Sequence, residues 1–132
     1  MAKAVKTKLL SFSMKDRPGQ LAEITTRLAA ADVNITAICA YAMDGTAYFD
    51  MTTERNAQAR KALAGMGVKI EEEEVIAVEM PNKAGELRKV AKILADAGIT
   101  TTYMYGTTST GRTSTCLFST SDNRKALRLI NK

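Results

Sequence analysis

The groups able to do chemistry in this chain are few, and their spacing is informative. Histidine is absent from the 132 residues. That removes the commonest general base, the Ser-His and Cys-His arrangements, and most zinc sites. The two cysteines, Cys39 and Cys116, lie far apart and outside any metal-type spacing. They read as small core residues kept reduced. Four consecutive carboxylates, Glu71-Glu72-Glu73-Glu74, repel one another and read as the solvated end of a strand. They lack the loop signature of a Ca²⁺ site. The polar run Thr107-Thr108-Ser109-Thr110-Gly111-Arg112 is short of glycine and leads into a strand. A phosphate cradle would lead into a helix, so the run reads as a hairpin loop. What remains is a polar bend, Asp16-Arg17-Pro18-Gly19, running into a helix start. Proline tolerates the first turn of a helix, and glycine admits a close approach to the backbone.

The bend recurs. At a spacing of 66 residues, Gly19-Gln20-Leu21 matches Gly85-Glu86-Leu87, and Leu10–Met14 matches Ile76–Met80. Leu28-Ala29 matches Leu94-Ala95, Val33 matches Ile99, Thr36 matches Thr102, and Gly45 matches Gly111. With a two-residue slip, Lys61-Ala62-Leu63 matches Lys125-Ala126-Leu127. One unit therefore occurs twice, in order.

Each copy has the same pattern of elements. Leu10, Phe12 and Met14 alternate with serines, as in a strand with one buried face. Leu21, Ile24, Leu28 and Ala31 fall on one helical face. Val33, Ile35, Ala37, Cys39 and Tyr41 alternate as a second strand, and Asp44-Gly45 is a hairpin turn. Ala47, Phe49 and Met51 make a third strand. Ala59, Ala62, Leu63 and Met66 outline a second helix closed by Gly67, and Val68 and Ile70 open a fourth strand. In the second copy the elements are Val75–Met80, a helix through Leu87, Val90, Ala91 and Leu94, then Ile99–Gly106, Thr113–Thr120 and Asn123–Ile130.

The expected fold is α+β: two tandem ferredoxin-like βαββαβ units, residues 7–74 and 75–132, each an antiparallel sheet with its helices on one face. The second unit lacks its last strand. Either its sheet ends short, or the N-terminal segment or another chain fills the place. A unit of this size is marginal alone, which gives the tandem a physical reason.

Composition bounds the function. Hydrophobic residues make up 45% and charged residues 25%, the profile of a soluble globular protein. No apolar run approaches the ~20 residues of a membrane span, and no signal-peptide core follows the basic N-terminus. A cytoplasmic protein with no membrane partner is expected. The net charge is +5, and the excess lies after residue 74, where nine Lys+Arg face four Asp+Glu.

The bend Asp16-Arg17-Pro18-Gly19, Leu21 two residues on, and a second strand opening Val33-Asn34-Ile35 together resemble the ACT domain. Asn82-Lys83-Ala84-Gly85, Leu87 and Ile99-Thr100 form a weaker copy. The resemblance covers about residues 7–130 and is greatest to short stand-alone proteins made of two ACT units. It implies a regulatory or sensor protein of amino-acid metabolism, not an enzyme, that binds a free amino acid between units and needs no cofactor and no metal. It implies ligand contacts at Asp16 and Asn34, with Arg17, Pro18 and Gly19 shaping the loop. In the second unit Asn82, Lys83, Gly85 and Thr100 take the matching places. Tyr103 stands where tandem proteins of this kind often carry an aromatic pair, and shares a face with Tyr105.

The chemistry suits these assignments. Free backbone N–H groups at a helix start favour a carboxylate, a side chain such as Asp16 accepts from an ammonium, and Asn34 both donates and accepts. Plainer roles stay open beside them: Asp16 as a helix cap, Pro18-Gly19 as turn chemistry, Asn34 as a turn residue, Tyr103 as sheet packing. Three other readings compete. An RNA-binding protein of the same topology would carry aromatic motifs on its central strands that are missing here, so no nucleic-acid partner is expected. An acylphosphatase-like enzyme would need N–H donors where Pro18 removes one. An assembly module would use the unfilled sheet edge, and a homodimer is the expected oligomer.

Overall fold

The computed structural model describes residues 1–107 and 110–132. Thr108 and Ser109, part of the polar hairpin loop read from the sequence, lie outside the described residues. The element order is β1 (Lys3–Lys15), α1 (Gln20–Ala30), β2 (Ile35–Met43), β3 (Thr46–Thr53), α2 (Asn56–Leu63) with a short 3-10 turn (Ala64–Met66), β4 (Glu71–Pro81), α3 (Glu86–Asp96), β5 (Thr101–Thr107), β6 (Thr113–Thr120) and α4 (Asn123–Ile130). The α+β architecture of repeated βαββαβ-like units is the one the periodicities predict.

The chain forms two compact units, Lys8–Glu73 and Glu74–Lys132 together with Met1–Thr7. In the N-terminal unit the strand order is β2-β3-β1-β4. Its core is Leu10, Phe12, Ile24, Leu28, Val33, Phe49, Met51, Ala59 and Leu63, drawn from one face of the sheet and the inner faces of α1 and α2. Burying each large apolar side chain contributes about 1.5–3 kcal/mol. The rings of Phe12 and Phe49, opposite each other in register, stack with centroids 5.4 Å apart.

The C-terminal unit repeats this plan in the order β1-β4-β6-β5. Its core holds Ile76, Val78, Met80, Val90, Leu94, Cys116, Phe118, Ala126 and Ile130. It also holds Ala4. The three possibilities for the missing last strand thus resolve in favour of the N-terminal segment. Residues 3–7 are the opening of β1 and belong to the second unit, with Ala4 in its core. A segment that buries apolar surface and satisfies the edge of β4 has little reason to stay outside the fold.

Two further expectations need correcting. The second strand does not alternate without interruption. A register shift between Ile35 and Ala37 inserts one residue, so Ile38, Ala40 and Ala42, not Ala37, Cys39 and Tyr41, share the core face with Met51, Phe49 and Ala47. The same shift recurs between Thr101 and Tyr103. The last helices also align differently. Asn56, Ala59 and Leu63 correspond to Asn123, Ala126 and Ile130, a spacing of 67. Matching Lys61-Ala62-Leu63 to Lys125-Ala126-Leu127 had put the buried faces out of register by three residues.

Candidate functional site

In the N-terminal unit β1 delivers the chain to the bend and α1 carries it away. Gly19 sits at the N-cap with φ 87°, a left-handed conformation that glycine adopts at no steric cost. No side chain caps α1, so Asp16 is not its cap. Instead the Asp16 amide donates to the Gly45 carbonyl at 2.9 Å, which ties the bend to the β2–β3 hairpin. Arg17 turns toward Glu23 at 2.9 Å, and both side chains are solvated. The Glu23 amide donates to Gly19 O at 2.9 Å, closing the first helical turn. The earlier amides of that turn, on Gln20, Leu21 and Ala22, have no intrahelical acceptor.

Gln20 was missed by sequence reasoning. It is 5% exposed, and its Nε2 donates to Lys15 O at 2.6 Å. The signal was present: Gln20, Ile24 and Leu28 lie four residues apart, so a polar residue occupies the buried helical face. Around it lies an open recess of about 250 Å³ lined by Asp16, Arg17, Gly19, Gln20, Leu21, Ala40, Tyr41, Ala42, Ala47 and Phe49.

The C-terminal unit builds a counterpart. Gly85 is the N-cap of α3 with φ 90°. The Asn82 amide donates to Arg112 O at 2.8 Å, and Asn82 Nδ2 donates to Gly111 O at 3.1 Å. Again the bend is pinned to a hairpin. A recess of about 250 Å³ is lined by Met80, Pro81, Asn82, Lys83, Glu86, Leu87, Gly106, Thr107, Ser114 and Cys116. Glu86 takes the place of Gln20. Its carboxylate accepts from Lys89 Nζ at 2.6 Å, and that hydrogen bond holds its pKa below the usual carboxylate value. Burial alone pushes the Cys116 thiol up.

The structure brings together only part of the expected set. Asp16, Arg17 and Gly19 line one recess, Asn82 and Lys83 the other, and Pro18 and Gly85 belong to the bends. Asn34 does not join Asp16. It lies at the opposite end of β2, where its Nδ2 donates to Glu54 Oε1 at 3.1 Å and its carbonyl accepts from the Glu54 amide. Thr100 is likewise remote: its amide donates to Ser121 Oγ at 3.0 Å, and its carbonyl accepts from the Ser121 amide at 2.9 Å. The separation follows from strand direction: each bend lies beside the hairpin that ends its second strand, whereas Asn34 and Thr100 precede that strand. Tyr103 pairs in register with Ser119, on the sheet face away from Phe118 and Cys116, and so lies outside the helix-side recess.

Among the described residues no cluster of His, Cys, Asp and Glu is placed to hold a metal ion. No helix among them is long and apolar enough to cross a membrane.

Residues 8–65 match the model of the ACT domain. Comparison with curated proteins finds no match. Among solved structures, a protein from Bacteroides thetaiotaomicron is similar with a TM-score of 0.87 and 25% identity, covering 96% of this chain and 87% of that one. The regulatory subunit of aspartate kinase from Thermus thermophilus is similar with a TM-score of 0.70 and 13% identity, covering 98% of this chain and 93% of that one. Aspartokinase III of E. coli, in complex with lysine and aspartate, gives 0.56 and 17%, covering 97% of this chain and 31% of that one. The two kinase likenesses bear on the fold alone.

Proposed function

We infer that the N-terminal unit, whose residues 8–65 match the ACT domain model, is a module that binds amino acids and regulates, and that the C-terminal unit repeats it. From that premise we propose that the chain is an amino-acid sensor of metabolism, working in the cytoplasm through ligand binding and not through catalysis. One observation carries the reading: a recess with a polar bend at a helix N-terminus, built twice. A free amino acid presents a carboxylate and an ammonium a few ångströms apart. The first-turn amides of α1 or α3 suit the carboxylate, aided by Arg17 or Lys83. Asp16 in one unit, Glu86 and the Asn82 carboxamide oxygen in the other, suit the ammonium. Asn34, Thr100 and Tyr103 contribute to a site only if a neighbouring surface supplies the other half.

A homodimer is the second part of the proposal. Leu21 and Leu87 are 49% and 44% exposed, and Ile38 and Met104 are 39% and 36% exposed. These are matched positions on the first helix and the outer strand of each unit. Repeated exposure of large apolar side chains beside an outer strand favours burial against a second copy.

A thermal-shift screen of the common amino acids tests the binding reading. A ligand should raise Tm progressively, by an amount equivalent to about 2.7 kcal/mol at a hundredfold excess over Kd. No shift with any amino acid at saturation would end the proposal. Light scattering on the eluting peak tests the dimer.

A further inference from the structure

The two recesses differ at the floor. In the N-terminal unit one row across the sheet reads Phe12, Phe49, Ala40, each opposite the next in register. In the C-terminal unit the matching row reads Val78, Cys116, Gly106. Every member of the second row is smaller than its counterpart. Stacked aromatic rings stand in the first row where the second has a valine, a thiol and no side chain at all.

Gly106 is the telling member. Its backbone is not in the left-handed region, so its conformation alone does not require glycine. What requires it is space. A Cβ at this position would stand 2.8 Å from Cys116 Sγ. Glycine inside a strand weakens the strand and marks places where something approaches the backbone closely. Here the close approach is that of the Cys116 thiol, so a side chain at 106 would push that thiol into the recess that both residues line.

Resting on the amino-acid-binding reading above, we propose that the C-terminal recess is the one that receives the ligand side chain, and that Gly106 and Cys116 select an uncharged aliphatic or thioether side chain. The charged groups, Lys83 and Glu86, stand at the helix start, where they face the zwitterion. Beyond them the lining is Met80, Leu87, Cys116 and Gly106 with the uncharged hydroxyls of Thr107 and Ser114, and among the described residues it holds no further charged side chain. A charged side chain driven there would lose its hydration without compensation.

The test uses the full chain with Cys39→Ser, so that Cys116 is the one thiol. Leucine, methionine, aspartate and lysine are titrated calorimetrically against this protein and against its Gly106→Ala variant. Leucine or methionine should bind, and Gly106→Ala should weaken binding by about tenfold or more. Bound ligand should also slow alkylation of Cys116 by N-ethylmaleimide, a readout that needs no change to the floor and holds even if Gly106→Ala fails to fold. Binding of aspartate or lysine in preference, or alkylation of Cys116 unaffected by saturating ligand, overturns the selectivity while leaving the sensor reading intact. Failure of all four to bind, with a flat thermal-shift screen of the remaining amino acids, overturns both.

Discussion

The carboxamide of Asn131 holds the backbone of Ala4 at both of its polar groups: the Ala4 amide donates to Oδ1 at 2.7 Å, and Nδ2 donates to the Ala4 carbonyl at 2.8 Å. The two residues are nearly the whole chain apart, and this grip fixes the opening of β1 against the end of α4. A carboxamide, with its oxygen and its NH₂ side by side, satisfies a donor and an acceptor of one residue together. Asn131→Ala should therefore lower the unfolding free energy by about 1–3 kcal/mol, measured by urea denaturation. Asn131→Asp should be destabilised as well, because its carboxylate cannot donate to the Ala4 carbonyl. A wild-type midpoint in both variants would show that the N-terminal strand does not depend on this contact.

A second carboxamide pair holds each unit's last helix to its first strand. Asn56 accepts from Thr53 Oγ1 at 2.6 Å and donates to Lys8 O at 3.1 Å. Asn123 accepts from Thr120 Oγ1 at 2.7 Å and donates to Glu74 O at 2.9 Å. The pattern Thr-x-x-Asn therefore does the same work twice. Asn56→Ala and Asn123→Ala should each cost about 1–3 kcal/mol, and their double mutant should be close to additive, since the two asparagines share no hydrogen-bond partner. Chemical denaturation of the three variants checks this; strong coupling would mean that the two clamps act as one.

These clamps show what was legible before the structure. Alternation in Leu10–Met14 and the helical spacing of Ile24 and Leu28 disclosed the elements, because local burial patterns write themselves into local sequence. The repeat disclosed the tandem. The bulge after Ile35 did not show, since one inserted residue leaves the residue types unchanged while reversing their faces. The place of residues 3–7 showed only as one of three possibilities, because their partners, β4 and the end of α4, lie far along the chain. The candidate site was half legible. Asp16–Gly19 and Asn82–Gly85 are local bends and lie where the motif put them, whereas the distance from Asp16 to Asn34 depends on which end of β2 each adjoins.

Gln20 should govern the shape of the first bend. Its buried amide is the partner of Lys15 O, and removing it would leave that carbonyl without its partner under the helix start. Gln20→Leu fills the same space without the donor and should lower stability by about 1–3 kcal/mol. Gln20→Glu retains the shape but sets a carboxylate oxygen against the carbonyl, and should be destabilised more at neutral pH than in acid. Thermal melts across pH read the difference; a Gln20→Glu protein as stable as wild type at neutral pH would contradict the assigned hydrogen bond.

Glu86 titrates in the opposite sense. Its hydrogen bond from Lys89 lowers the folded-state pKa, so folding favours the ionised form. The stabilisation is complete above the unfolded carboxylate value and is lost as pH falls through the lowered folded value. Glu86→Gln removes that linkage. At neutral pH the wild type should be the more stable of the two, and the gap should shrink as the solution is acidified below the ordinary glutamate range. High salt should narrow it too, because Lys89 is well exposed. Lys89→Met should reproduce the loss while retaining the carboxylate at residue 86. Paired melts of wild type and Glu86→Gln at successive pH values decide the matter: a gap that stays constant, or widens in acid, would show that Glu86 is not held ionised by Lys89.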